Sequence, residues 1–141
     1  MHLNDFGIAR SSNSDHNRIN TTTGRAIGSP LYLAPEILNA IKVKPDFTKQ
    51  DVWAIGVITY QMCTFNLPFT GFENFALINA ILNHPPDPIT HEGYSAELKA
   101  LIDQLLTKDP TKRPSIKQLF KIQIIRKAII RLVKESEPKL F

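Results

Sequence analysis

The chain has 141 residues, 43% hydrophobic and 21% charged, with a formal net charge of +4, which is the make-up of one soluble globular domain with a sizeable core. Cys63 is the only cysteine, which excludes an internal disulfide framework; no apolar run is long enough to span a membrane, and MHLNDFGIAR has no apolar signal core. An intracellular, cytoplasmic protein is therefore expected, with its charge unevenly placed: residues 108–141 carry +7 and residues 1–107 carry −3.

His2-Leu3 is placed to end a strand that feeds Asp5-Phe6-Gly7. From Arg10 to Gly24 the chain is Ser, Asn, Thr and Asp with almost no apolar residue, a composition that cannot bury itself and predicts a mobile loop. Apolar residues return around Gly28-Ser29-Pro30, and Ala34-Pro35-Glu36-Ile37-Leu38 reads as a short helix with proline in its first turn. After a connection from Lys42 to Phe47 comes the segment 48–62, whose Val52, Trp53, Ile55, Val57, Ile58, Tyr60 and Met62 go round a helix instead of following one stripe. That pattern predicts a central helix walled on all sides. Thr48 and Asp51 suggest a capping-box-like start. Gly56, which costs up to ~1 kcal/mol against alanine in mid-helix, predicts close approach of another backbone.

Asn66-Leu67-Pro68-Phe69 and Gly71 end this helix. Phe75, Leu77, Ile78, Ile81 and Leu82 then predict an amphipathic helix over 72–83, stopped by Pro85-Pro86. Ser95 is placed to cap a helix over 95–107, whose Leu98, Leu101, Ile102, Leu105 and Leu106 follow the i, i+3, i+4, i+7, i+8 template. Asp109-Pro110 breaks it, Pro114-Ser115 starts another, and Ile116 to Val133 is expected to run on as one basic amphipathic helix. Its apolar face is expected to pack on the body of the domain with its cations solvated; docking on an anionic membrane is the other reading of the same pattern. His2, His16, His84 and His91 show no ligand spacing and are read as surface residues. The coarse reading is mainly α.

Four patterns in one order resemble the C-terminal half of a eukaryotic protein kinase catalytic domain. Asp5-Phe6-Gly7 resembles the D-F-G triplet, and Ala34-Pro35-Glu36 the A-P-E motif. Asp51, Trp53 and Gly56 resemble the central-helix signature, and Arg113 the arginine that pairs with the A-P-E glutamate. The resemblance implies a helical lower lobe around a central helix: a partial kinase domain over 1–120, with an activation segment 5–36, central helix 48–62 and later helices 72–83, 95–107 and 115–120. A basic amphipathic tail over 121–141 would follow. Gly28-Ser29-Pro30-Leu31-Tyr32 is similar to the G-T-P-x-Y of serine/threonine kinases, and the run from Tyr94 to Ser115 with its basic helix is similar to the NIMA-related kinases.

The resemblance assigns roles residue by residue. Asp5 would give carboxylate oxygens to Mg²⁺ bridging ATP phosphates, Phe6 would pack between the lobes, and Gly7 would supply unusual backbone angles. Thr21, Thr22 and Thr23 are activation-segment residues that are either phosphorylated or simply solvated. The place where relatives often carry the phosphate, three residues before Gly28, holds Arg25. Gly28, Ser29 and Tyr32 would belong to the substrate-binding loop; Ala34, Pro35, Glu36, Asp51, Trp53, Gly56 and Arg113 would be structural, with Glu36–Arg113 an ion pair and Asp51 holding the backbone of the catalytic loop.

The glycine-rich loop, the strand lysine and the H-R-D loop of a working kinase occur nowhere in the 141 residues. In the family they precede D-F-G, so the catalytic base and phosphate-binding lysine are expected upstream of Met1. Three functions stay open: a serine/threonine kinase using ATP and Mg²⁺ on protein substrates, of which this is the lower-lobe portion; a non-catalytic fragment whose exposed apolar surface takes a protein partner; and a protein that binds an acidic surface through its basic tail. No specific nucleic-acid signal is present.

Overall fold

The computed structural model describes residues 30–39 and 44–136. The described residues form no strand. A 3₁₀ turn, Pro30–Tyr32, leads into six helices: α1 Pro35–Leu38, α2 Phe47–Thr64, α3 Asn74–Asn83, α4 Ala96–Leu105, α5 Ile116–Leu119 and α6 Gln123–Ser136. The fold is mainly α and arranged around α2, consistent with the lower lobe that the resemblance implies. The readings of His2, Asp5, Phe6, Gly7, His16, Thr21, Thr22, Thr23, Gly28 and Ser29 lie outside the described residues.

The start of α2 differs from the sequence expectation. Asp46, not Thr48, is the cap: its backbone is extended, and its Oδ1 accepts the Thr48 N–H at 2.9 Å and the Thr48 hydroxyl at 2.6 Å. A carboxylate there satisfies a free N–H and faces the positive end of the helix. The Thr48 hydroxyl bond, first among the causes, holds the Asp46 carboxyl below its ordinary range. Asp51 is exposed and takes no part in the cap. At its other end α2 runs on to Thr64 and stops at Phe65, which turns left-handed (φ 57, ψ 15) and donates its N–H to Gln61 O at 2.8 Å.

Among the described residues, those buried on α2 lie on one side of it. Val52, Trp53, Gly56, Val57 and Tyr60 are buried, whereas Ile55, Ile58 and Met62 are exposed, Met62 at 72%. The all-round apolar pattern predicts walls on every side; the described elements cover one side of it, through α3, α4, α5 and the 3₁₀ turn. One core cluster joins Trp53, Val57 and Tyr60 to Phe69, Leu77, Ile81, Ile102 and Leu106. A second joins Val52 to Leu101, Leu105 and Leu119. A Cβ on Gly56 would sit 2.8 Å from Leu105 Cβ and 2.9 Å from Leu106 Cδ2. The glycine is thus required by the side chains at the end of α4, not by a neighbouring backbone.

In α3, Leu77, Ala80 and Ile81 face inward, but Phe75 is 81% exposed, because it lies on the side of the helix away from α2. Ser95 caps α4, its Oγ accepting Leu98 N–H at 3.2 Å. Ser115 and Gln118 form a capping box at α5, with Ser115 Oγ accepting Gln118 N–H at 3.2 Å and Gln118 Oε1 accepting Ser115 N–H at 2.8 Å. The single helix expected over 116–133 is two. Lys121 N–H and Ile122 N–H bond back to Gln118 O and Leu119 O at 3.0 Å each, three residues behind, and this tight turn re-aims the chain before α6 begins. The turn lets Ile122, Ile124 and Ile125 pack against the second cluster.

Candidate functional site

The described site residues converge on Arg113. Among the described residues it is the one charged side chain in the core, 1% exposed, and all five of its N–H donors are used. Nη1 meets Glu36 Oε1 at 2.7 Å and Lys49 O at 2.9 Å. Nη2 meets Glu36 Oε2 at 3.0 Å and Lys108 O at 3.2 Å, and Nε meets Thr107 O at 2.9 Å. A two-pronged guanidinium–carboxylate pair holds both groups in one plane. The geometry follows from local structure. Pro35 starts α1 at N1 and puts Glu36 in its first turn, while the end of α4 and the turn at Asp109 bring carbonyls round the guanidinium. In that turn Asp109 Oδ1 accepts Thr111 N–H at 2.9 Å and the Thr111 hydroxyl at 2.7 Å, and the hydroxyl bond leads the causes that lower the Asp109 carboxyl. Lys49 Nζ returns a bond to Arg113 O.

Glu36 keeps 18% of its side chain exposed, beside a groove of 440 Å³ lined by Asn39, Lys44, Asp46, Lys49 and Thr111 among others. Beneath the guanidinium lies Trp53, with Arg113 Cζ 5.0 Å from its ring centre, and Trp53 stacks on Phe69 at 5.6 Å. Lys108 Nζ sits 4.4 Å over Phe69 and bonds Ile81 O; burial lowers its pKa to about 8. Trp53 Nε1 is buried with no partner among the described residues.

Gln50 and Gln61, which no sequence motif marks, hold the segment that precedes Glu36. Gln50 Oε1 accepts Ala34 N–H at 2.7 Å and its Nε2 donates to Tyr32 O at 2.8 Å, so one amide on the first turn of α2 mimics a strand partner. The Tyr32 hydroxyl donates to Gln61 Oε1 at 3.2 Å. A lone glutamine in a helix carries no sequence signal of such a role. The structure therefore brings Tyr32, Ala34, Pro35, Glu36, Trp53 and Arg113 together, with Gly56 under α4, and leaves Asp51 exposed on the other side of α2. Among the described residues no cluster of three or more His, Cys, Asp or Glu is placed to hold a metal ion. His84 and His91 are exposed, and His91 Nδ1 accepts Gly93 N–H at 2.9 Å. This arrangement anchors a backbone segment.

A helical lobe that clamps an A-P-E turn to a central helix through a buried arginine defines a protein kinase fold, and comparison with known proteins agrees. The family model described as protein kinase domain matches residues 1–125, and the chain belongs to that family. More particularly, it is similar to serine/threonine-protein kinase Nek5 of Homo sapiens, 40% identical over 119 residues that make up 84% of this chain and 16% of the human protein. It is 35% identical to serine/threonine-protein kinase Nek1 of Mus musculus over 92% of this chain and 10% of that protein. It is 30% identical to putative serine/threonine-protein kinase B of Trypanosoma brucei brucei, over 96% of this chain and 31% of that protein. The chain thus spans less than a third of the length of each of these relatives. The Nek names agree with the NIMA-related resemblance. No helix among the described residues is long and apolar enough to cross a membrane.

Proposed function

We propose that this chain is the lower-lobe portion of a serine/threonine protein kinase, which in complete form transfers the γ-phosphate of ATP to protein hydroxyls. In this reading residues 30–36 are the platform against which the substrate segment lies. The observation that carries it is the Arg113 hub together with Gln50: four hydrogen bonds tie the segment from Tyr32 to Glu36 to Gln50 and Arg113, and three more hold Arg113 itself on the carbonyls of Lys49, Thr107 and Lys108. Phosphoryl transfer rests on positioning and charge neutralisation, and a rigid platform is the positioning half of that task. Mg²⁺ and ATP would supply charge neutralisation and the transferred group, with Asp5 as the metal ligand that the resemblance assigns.

A chain of these 141 residues alone is expected to transfer no phosphate, since the base, the lysine and one metal ligand act as a unit with what the chain holds. Joined to a segment carrying the glycine-rich loop, strand lysine and H-R-D loop, it is expected to phosphorylate a generic basic protein, with activity lost on Asp5→Ala. Transfer by the 141 residues alone, abolished by Asp5→Ala, would refute the first expectation. An inert joined protein would favour a second reading, a non-catalytic interaction module, which the exposed Ile55, Ile58 and Met62 on α2 also support.

A further inference from the structure

Helix α6 leaves the body of the domain where the family match stops. Ile122, Ile124 and Ile125 lie half-buried against the cluster of Val52, Leu101, Leu105 and Leu119. Every residue from 126 to 136 is exposed, and the family model ends at 125. The apolar face expected to pack on the lobe does so only at its root. Ala128, Ile129, Leu132 and Val133 continue the side of the helix that Ile125 begins, an arc of roughly 140° at 3.6 residues per turn. Leu132 is 62% exposed. Arg126 borders this arc on one edge, Arg131 lies toward the other, and Lys127 and Lys134 stand on the opposite side, where Ile130 is the one apolar residue, 51% exposed. Glu135 is the one acid of the helix, and it is tied to Arg131 at 2.8 Å.

We propose that α6 lies in the plane of an anionic lipid bilayer, with Ile129, Leu132 and Val133 dipped into the headgroup boundary. The helix carries a net +3, a strongly segregated apolar side and little overall hydrophobicity, the combination that favours an interfacial position. At 14 residues it is about 21 Å long, too short to cross a hydrocarbon core of about 30 Å. Arg126 has a stem long enough to lie along the apolar strip while its charge reaches phosphates, and Lys127 and Lys134 add to the attraction from the solvent side. The same charges argue against a second copy of the chain, because two helices of +3 would be brought side by side. The inner turn of any such seam, Ile122 and Ile125, is already taken by the body of the domain. A protein groove is the weaker fit, since the strip is purely aliphatic and lacks the aromatic anchors that dominate protein interfaces.

Flotation of the full 141-residue chain with phosphatidylcholine vesicles containing about one-third phosphatidylserine tests this. Binding is expected to these vesicles and not to phosphatidylcholine alone, and it should weaken when salt is raised to about 0.5 M. Lys127→Glu and Arg131→Glu should each weaken it by about fivefold or more. Leu132→Ser should weaken it by about tenfold, while Ile58→Ser on the exposed side of α2 should leave it unchanged. All these positions are exposed, and equal helix content by circular dichroism checks that each variant folds. No binding to the acidic vesicles, or binding indifferent both to the charge reversals and to Leu132→Ser, would overturn the proposal. So would a concentration-dependent dimer that Leu132→Ser dissolves, which would show that a second copy covers the strip.

Discussion

Arg113 sits where exchange for any other residue leaves several groups stranded at once. Arg113→Leu would leave the Glu36 carboxylate and three backbone carbonyls without their donor, and a loss of about 3–5 kcal/mol is expected. Arg113→Lys keeps the charge but offers three donors from one point in place of a five-pronged plane, so it should recover only part of the loss. An unchanged melting temperature for the leucine variant would refute the buried pair. Lys108 makes a pH prediction. Its folded pKa, lowered to about 8 by burial, lies below the ordinary lysine value of 10.5. Between those values the unfolded chain binds more protons than the folded one, so stability contributed at this site rises with pH over that window and is flat below it. Relative to Lys108→Met, the wild-type chain should therefore gain melting temperature from pH 7.5 to pH 10. A constant difference would place the ammonium in water.

At the scale of elements, α2 shows how a helix is stopped without glycine. Phe65 takes the left-handed conformation with its ring 93% exposed, so the ring gains little from packing while the backbone is strained by roughly 1 kcal/mol. Phe65→Gly is expected to raise stability by about that amount in a urea melt; a loss would show that the ring has a partner. The legibility of the elements divides along physical lines. Helix α4 could be read because Leu98, Leu101, Ile102 and Leu105 repeat at the helical period behind a serine cap. The break between α5 and α6 could not, since Phe120-Lys121-Ile122 contains neither glycine nor proline and the turn is made by two backbone bonds. Nor did sequence separate Asp46 from Thr48 as the cap, because both residue types accept from a free N–H.

For the whole molecule, periodicity alone could not show which apolar side of α2 is covered. Trp53 and Val57 lie inside; Ile58 and Met62 do not, though all four look alike in sequence. Whether an apolar residue is buried depends on which other elements reach it, and that is a property of tertiary arrangement. The Glu36–Arg113 contact was legible only through likeness to kinases, and Gln50 not at all. A side chain of this size contributes roughly 1.5–3 kcal/mol when fully buried, so the exposed strip of Ile55, Ile58 and Met62 is a place for partner contact or aggregation. The chain is expected to bind a hydrophobic dye, and the triple change of these residues to serine should reduce the signal while keeping a cooperative melt. A monodisperse monomer with no dye binding would refute this.

The Arg113 hub also carries a clock. Glu36 and Arg113 are 77 residues apart in the chain, so at about 5–20 residues per second a ribosome delivers the carboxylate roughly 4–15 seconds before the guanidinium that holds it. For that interval α1 lacks its Arg113 anchor and Trp53 the cation above it, and for most of it Trp53 also lacks the α4 side chains that close the core. Local helices can form at once, but the long-range closure waits for Thr107 to Arg113. The nascent chain therefore passes through a stage with its apolar central helix uncovered, a window in which a chaperone or a protease, not the native fold, has first access to it.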